Sequence, residues 1–125
     1  MDTADTFFLS PSELARLQGS AEAPLLLDVR KPPAFAAGAH MLAGAVRCEP
    51  DAVAAFAASQ PRRPVVTYCV YGHGVSQAAA KVLRDAGWDA RWLAGGIEGG
   101  QPGVDAPEDI ARWRAAAPAR VAKPA

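Results

Sequence analysis

The sequence has few cysteines and histidines. Its 125 residues include two cysteines, Cys48 and Cys69, and two histidines, His40 and His73. No CxxC pair is present, which argues against a zinc ribbon or a thioredoxin-type dithiol. The histidines lack acidic neighbours at ligand spacing, so we predict no metal site and no cofactor. The two cysteines indicate separate thiols in a reducing compartment, and we expect a cytoplasmic protein.

The sequence also has no excess of positive or negative charge and no long apolar run. Thirteen basic residues balance thirteen acidic ones, so the composition gives no electrostatic reason to expect nucleic acid or an anionic membrane surface. No apolar run approaches the ~20 residues of a membrane helix. Residues 1–10 do not have the order of charges and apolar residues of a secretory signal, in line with a cytoplasmic location.

What the sequence does contain is an alternation of apolar runs and helical patterns. The short runs predict four strands, of which the first is a buried one. The helical patterns begin at Ser10, which would cap the first helix, and continue to a last helix after Asp105. The predicted strands are Leu25–Val29, Ala45–Cys48, Val65–Tyr68 and Arg91–Leu93. This alternation predicts an α/β domain with a parallel sheet covered by helices, whose ligands bind at the carboxyl ends of the strands.

The segment after Tyr68 carries the chemical signal. Cys69 follows a predicted strand, a loop with Gly72 and Gly74 comes next, and a helix is predicted at 76–86. Both glycines tolerate positive φ and therefore permit the loop to curl tightly around the sulfur. Main-chain N–H groups of the loop and of the helix start would then favour the thiolate. The alternative is a buried, inert structural cysteine.

Four stretches resemble the successive signatures of the rhodanese family. They are Leu-Asp-Val-Arg at 27–30, Gly-Ala at 44–45, Cys69 with its glycine loop, and Leu-Ala-Gly-Gly-Ile at 93–97. The resemblance implies a rhodanese-like α/β fold in which a central parallel five-stranded sheet is flanked by helices on both faces. The resemblance covers a rhodanese domain at 9–104, and the residues outside it predict a flexible lead-in at 1–8 and a C-terminal helix with a frayed tail at 105–125. The loop also resembles that of small rhodaneses associated with chromate-resistance genes.

The resemblance implies a sulfurtransferase in which Cys69 takes sulfane sulfur from a small-molecule donor, such as thiosulfate or a persulfide. It then passes that sulfur to a thiol, to another nucleophile or to an acceptor protein. Asp28 and Arg30 are expected to be structural support, as a buried carboxylate and its salt-bridge partner. The expected substrate-binding residues are Val70, Tyr71, Gly72, His73, Gly74, Val75 and Arg47.

Several roles stay open at the level of sequence. His73 is either a donor to the substrate or an exposed loop residue, and Arg47 either faces the pocket or is solvated. Cys48 is either a small core residue or a resolving thiol. The loop from 70 to 75 contains no arginine or lysine, so we expect weaker use of the thiosulfate dianion than in relatives with a basic loop.

Two other function classes compete with the sulfurtransferase. A phosphatase or arsenate reductase of this fold needs an arginine six positions after the cysteine to clamp an oxyanion, and Val75 occupies that position. A non-catalytic interaction module is the other alternative. Such modules often lack the cysteine, whereas Cys69 is present.

Overall fold

The computed structural model describes residues 5–124. The strands are β1 (Phe8–Leu9), β2 (Leu25–Asp28), β3 (His40–Leu42), β4 (Val46–Arg47), β5 (Val65–Tyr68), β6 (Ala90–Leu93) and β7 (Arg120–Ala122). The helices are α1 (Pro11–Leu17), α2 (Pro32–Ala37), α3 (Val53–Ser59), α4 (Gly74–Asp85) and α5 (Pro107–Ala115), with a 3-10 turn at Pro50–Ala52 before α3. Ser10 caps α1 as predicted, since its hydroxyl accepts from the amide of Glu13.

Five strands form one parallel sheet in the order β1-β6-β5-β2-β4, which confirms the predicted α/β fold. The central strand β5 lies between β2 and β6, so all four of its residues are buried. Because the strands are parallel, the segments that follow β2, β4, β5 and β6 emerge at the same edge of the sheet. That edge carries Cys69.

Alternate side chains of β2 and β5 contribute to two separate cores. Leu27 and Val65 pack with residues of α3 and α4, such as Ala57 and Leu83, on one face. On the other face, Leu26 and Val66 pack with Leu14 of α1, together with Leu42, Tyr68, Leu93 and Ile97. A strand directs successive side chains to opposite faces, so the continuous apolar runs are explained by helices covering both faces of the sheet.

Both ends of the described chain are more ordered than the sequence indicated. Phe8 and Leu9, predicted to lie at or beside a flexible lead-in, form the edge strand β1 and pair with Trp92 and Leu93. A strand this short leaves no alternating pattern, and the contact of Phe8 with Trp92, at 5.4 Å between ring centroids, exists only after folding. Residues 1–4 of the predicted lead-in lie outside the described residues.

The predicted frayed tail contains β7, which pairs antiparallel with β3. Sequence analysis missed this two-stranded ribbon because proline and alanine around 116–125 hide a strand pattern. The ribbon holds the segment of His40 to Leu42 next to the sheet, and the His40 side chain is exposed. The ribbon therefore fixes the position of the His40 main chain.

Candidate active site

Cys69 leaves the end of β5 and faces a small open cavity. The cavity has a volume of about 230 Å³ and lies between the loop after β5 and the segment after β2. Its lining residues are Arg30, Lys31, Ala34, Cys69, Val70, Tyr71, His73, Gly74, Val75 and Gln101. Cys69 is 7 % exposed, so the thiol is shielded from bulk water but reaches a space that could hold a small substrate.

The polar neighbours of the Cys69 sulfur differ from the predicted ring of main-chain N–H donors. Among residues 5–124, the hydrogen-bond partners of Sγ are the Ser76 hydroxyl at 3.2 Å and the His73 carbonyl at 3.8 Å. The His73 carbonyl can accept a hydrogen bond from Cys69 when its sulfur is a protonated thiol. The Ser76 hydroxyl lies 3.4 Å from that carbonyl and can turn its proton to Sγ when the sulfur ionises. Ser76, in the first turn of α4, is thus a site residue that the sequence analysis did not single out.

Close approach of two glycine loops fixes the shape of the Cys69 loop. Gly72 has φ +79°, and a Cβ there would lie 2.7 Å from the amide nitrogen of Gly95. Gly96 belongs to the second loop, and a Cβ there would lie 2.5 Å from the carbonyl oxygen of Val70 in the Cys69 loop. The amide of Ile97 donates to the Cys69 carbonyl at 3.0 Å, which locks the loops together. Gly72 thus adopts the positive φ that glycine tolerates, whereas Gly74 does not and instead starts α4.

Gly72→Ala is expected to lower the free energy of unfolding by about 1–3 kcal/mol, because it adds both overpacking and left-handed backbone strain. Gly74→Ala is the matched control, since a Cβ there meets no atom within 4 Å. It should leave stability unchanged or raise it by up to about 1 kcal/mol. The midpoints of urea unfolding measure both effects. Equal midpoints for the two variants would contradict the close packing of Gly72.

Asp28 is the centre of a buried ionic network beside this site. Its carboxylate is fully buried and accepts from the Arg30 guanidinium at 2.6 and 3.0 Å. It also accepts from the Tyr68 hydroxyl at 3.0 Å, and that hydroxyl in turn accepts from the amide of Leu42. A further donor bond joins the Arg30 guanidinium to the His40 carbonyl at 2.9 Å. The network fits the structural role expected for Asp28 and Arg30, although Arg30 also lines the cavity.

The protonation of this network follows from its burial and charges. Burial opposes the charged form of Arg30, but the hydrogen bond and charge of Asp28 outweigh it and raise the pKa of the guanidinium. Burial, followed by the Asp28 charge, raises the pKa of the Tyr68 hydroxyl. Tyr68 therefore stays a proton donor to the carboxylate.

Arg47 and Cys48 lie away from the cavity that Cys69 lines. The Arg47 guanidinium donates to the Asp28 carbonyl at 2.9 Å and lies 4.3 Å from the centroid of the Phe35 ring. Cys48 is buried among the side chains of the core under α3. Burial raises the pKa of the Cys48 thiol, which disfavours the thiolate that a resolving cysteine needs.

Two further residues join the site without a sequence signal that pointed to them. Lys31 lines the cavity opposite the Cys69 loop. Asp105 lies in the turn before α5, and its Oδ2 is 3.1 Å from Nε2 of His73. The His73 side chain therefore has a partner within the protein, and its expected role toward the substrate stays a prediction. A contact over 32 positions cannot be inferred from local spacing.

Comparison with known proteins identifies the family to which this fold belongs. The family described as "Rhodanese-like domain" matches residues 10–101. The chain belongs to the rhodanese-like domain family. A rhodanese homologue from the bacterium Thermus thermophilus shares 30% identity with a TM-score of 0.58, over 72% of this chain and 95% of the homologue. No curated protein matches the chain.

Two further solved structures have the same fold as this rhodanese-like domain. A full-length protein from Lactobacillus plantarum has a TM-score of 0.70 at 22% identity, over 94% of this chain and 89% of its own. A rhodanese-related protein from Thermoplasma volcanium has a TM-score of 0.59 at 21% identity, over 73% of this chain and 86% of its own. At these identities the likeness concerns the fold alone.

Within the described part of this rhodanese-like domain, no helix has the length and apolar character needed to cross a membrane. The same residues contain no cluster of three or more histidine, cysteine or acidic side chains placed to hold a metal ion. Cys69 is a free cysteine, and it lines the cavity.

Proposed function

We propose that this rhodanese-like domain is a sulfurtransferase that carries sulfane sulfur on Cys69. The observation that supports the proposal is the position of Sγ. It lines a cavity that faces the cations Arg30 and Lys31, and a hydroxyl that can donate to an anionic sulfur lies 3.2 Å away. An additional sulfur on Cys69 would extend into this cavity, where its negative charge meets positive side chains.

The proposed reaction has two halves. The Cys69 thiolate attacks the outer sulfur of the donor and forms an S–S bond. The donor's own S–S bond breaks, and its electron pair leaves with the rest of the donor, as sulfite if the donor is thiosulfate. In the second half, an acceptor nucleophile takes the outer sulfur and the electron pair of that bond returns to Sγ. The exchange is balanced by the donor and the acceptor alone.

Intact-mass spectrometry tests this proposal. The purified protein is incubated with thiosulfate or with a low-molecular-weight persulfide, desalted and weighed. We expect one added sulfur atom per chain, which cyanide or a thiol removes. A mass that stays unchanged with both donors would refute the proposal and leave the interaction module as the better account.

The charges around the cavity bear on the choice of donor. The Cys69 loop has no arginine or lysine, and the charge of Arg30 is already compensated by Asp28. Lys31 lies outside that network and is exposed. We therefore expect persulfide donors to be used better than the thiosulfate dianion, and we assign the remaining contact with an anionic donor to Lys31.

Lys31→Ala is expected to raise KM for thiosulfate about two- to fivefold, since an exposed ion pair contributes about 1 kcal/mol at most. Lys81→Ala is the matched control, because Lys81 pairs with Asp85 on the exposed surface of α4. Steady-state kinetics at low and moderate salt measure the effect, which should shrink as salt rises. An equal KM for Lys31→Ala and the control would remove Lys31 from donor binding.

The oxyanion enzymes of this fold are a weaker candidate for the function. Val75 lines the cavity at the position where those enzymes need a guanidinium, and Arg30 is engaged by Asp28. The proposed setting is the cytoplasm, where both thiols stay reduced and where thiols or an acceptor protein could receive the sulfur.

A further inference from the structure

His73 and Asp105 form an acid–imidazole pair at the edge of the Cys69 cavity. His73 Nε2 lies 3.1 Å from Oδ2 of Asp105, and the same oxygen accepts from the amide of Gln101 at 2.7 Å. Asp105 is 12 % exposed, whereas His73 is 43 % exposed. The carboxylate is thus held in place by the main chain, while the imidazole remains in contact with solvent.

This pairing fixes the tautomer of the neutral imidazole. A carboxylate can only accept, so Nε2 must carry the proton that is shared with Asp105. Nδ1 is then left with a lone pair. The His73 side chain therefore has a proton acceptor that the Asp105 contact does not use.

Few other side chains near His73 could accept a proton in the cavity. The charged groups that face the cavity from the segment after β2 are Arg30 and Lys31, both cations. Asp105 is already bonded to His73 and to the Gln101 amide. Of the cavity-lining side chains in the described residues, the imidazole of His73 is the one with a nitrogen lone pair that can take up a proton.

We propose that His73, oriented by Asp105, removes the proton from the acceptor thiol in the second half of the reaction. This inference rests on the proposed persulfide function. As the acceptor sulfur bonds to the outer sulfur on Cys69, the S–S bond of the persulfide breaks and its electron pair goes to Sγ. The acceptor's proton goes to Nδ1, and the imidazolium later releases it to solvent. The products are the acceptor persulfide and the Cys69 thiolate.

Whether sulfur transfer needs a base that removes a proton depends on the acceptor. An alkyl thiol is mainly protonated at neutral pH, since its pKa is about 8.5 or higher, and the thiolate is the nucleophile. Sulfite, as an acceptor, is already an anion with a free lone pair on sulfur, and it needs no base. Hence His73 should matter for alkyl thiols and not for sulfite.

The experiment compares these two acceptors in single turnovers. The protein is first loaded with a persulfide donor, and the load on Cys69 is measured by intact mass. It is then mixed with 2-mercaptoethanol or with sulfite, and the loss of sulfur is followed in time. His73→Gln is expected to slow transfer to 2-mercaptoethanol about 100-fold, the lower end of general-base contributions. Transfer to sulfite should stay within about twofold of the unsubstituted protein.

Asp105→Asn tests the positioning role of the carboxylate. The amide oxygen of asparagine still accepts from Gln101 and from His73, so the loop keeps its contacts while the charge is lost. We expect about a tenfold slower transfer to 2-mercaptoethanol, with sulfite again unaffected. In His73→Ala, imidazole added to the solution should restore part of the thiol rate, because the position is open to solvent.

Two results would overturn the inference. If sulfite and 2-mercaptoethanol slow together in His73→Gln, or if neither slows, His73 supports the loop and does not accept the proton. If the unsubstituted protein never gains sulfur, the proposed function itself fails. If the protein takes up a normal sulfur load but His73→Gln changes the rates with both acceptors equally, only the role of His73 is refuted and the proposed function stands.

Discussion

Cys69→Ser should reduce sulfur loading and sulfur transfer by at least about 10³-fold, since it removes the nucleophile on which the reaction depends. A serine hydroxyl is not ionised at neutral pH and forms no persulfide. Intact mass after incubation with a donor, and release of sulfur to cyanide, measure the effect. The fold should remain, because the main-chain contacts of residue 69 with Ile97 do not use the side chain.

Cys48→Ser provides the matched control for this substitution. Cys48 is as buried as Cys69 but packs in the core away from the cavity. We expect a normal sulfur load in the control, with stability lowered by about 1–3 kcal/mol through the buried hydroxyl. Sulfur that remains on Cys69→Ser, or that disappears from a folded Cys48→Ser, would refute the assignment of Cys69.

Asp28→Ala is expected to lower the free energy of unfolding by about 3–5 kcal/mol. The substitution leaves the Arg30 guanidinium, which is 3 % exposed, without its carboxylate, and it also removes the acceptor of the Tyr68 hydroxyl. Urea unfolding measures the loss. The Asp85→Ala control removes an exposed ion pair with Lys81 and should cost no more than about 0.5 kcal/mol.

The double variant Asp28→Ala, Arg30→Met separates an unpaired charge from lost packing. Because it removes the charge that Asp28 compensates, we expect it to be more stable than Asp28→Ala alone. If both variants unfold at the same urea concentration, the isolated guanidinium is not the cause of the loss. The instability would then come from the remaining polar contacts of Asp28.

Most of the central fold could be predicted from local patterns. Runs such as 25–29 and 65–68 are continuous and apolar because helices cover both faces of the sheet, and that pattern is visible in sequence. The edge strand β1 and the ribbon of β3 with β7 could not be predicted in the same way. They are two or three residues long, and their stability comes from contacts such as Phe8 with Trp92 that are remote in sequence.

The candidate site was predicted in part. The position of Cys69 after a strand, and a glycine loop able to curl tightly after it, followed from residue type and spacing. The sulfur's actual neighbours did not, since the direction of a carbonyl or a hydroxyl depends on how α4 begins. Lys31 and Asp105 enter the site because distant segments meet at the carboxyl edge of the sheet, and a single sequence contains no record of such pairings.

The packing of Trp113 has a consequence for how this domain should be delimited. The family match ends at residue 101, but the indole of Trp113 lies against Gly95 and Gly100, where an added Cβ would lie 2.8 and 3.1 Å from it. Gly95 belongs to the loop that braces the Cys69 loop. A protein cut at the family boundary would therefore lose the indole that packs on this loop, along with the Asp105 carboxylate that pairs with His73. The C-terminal extension thus contributes contacts to the loop beside Cys69 and to His73.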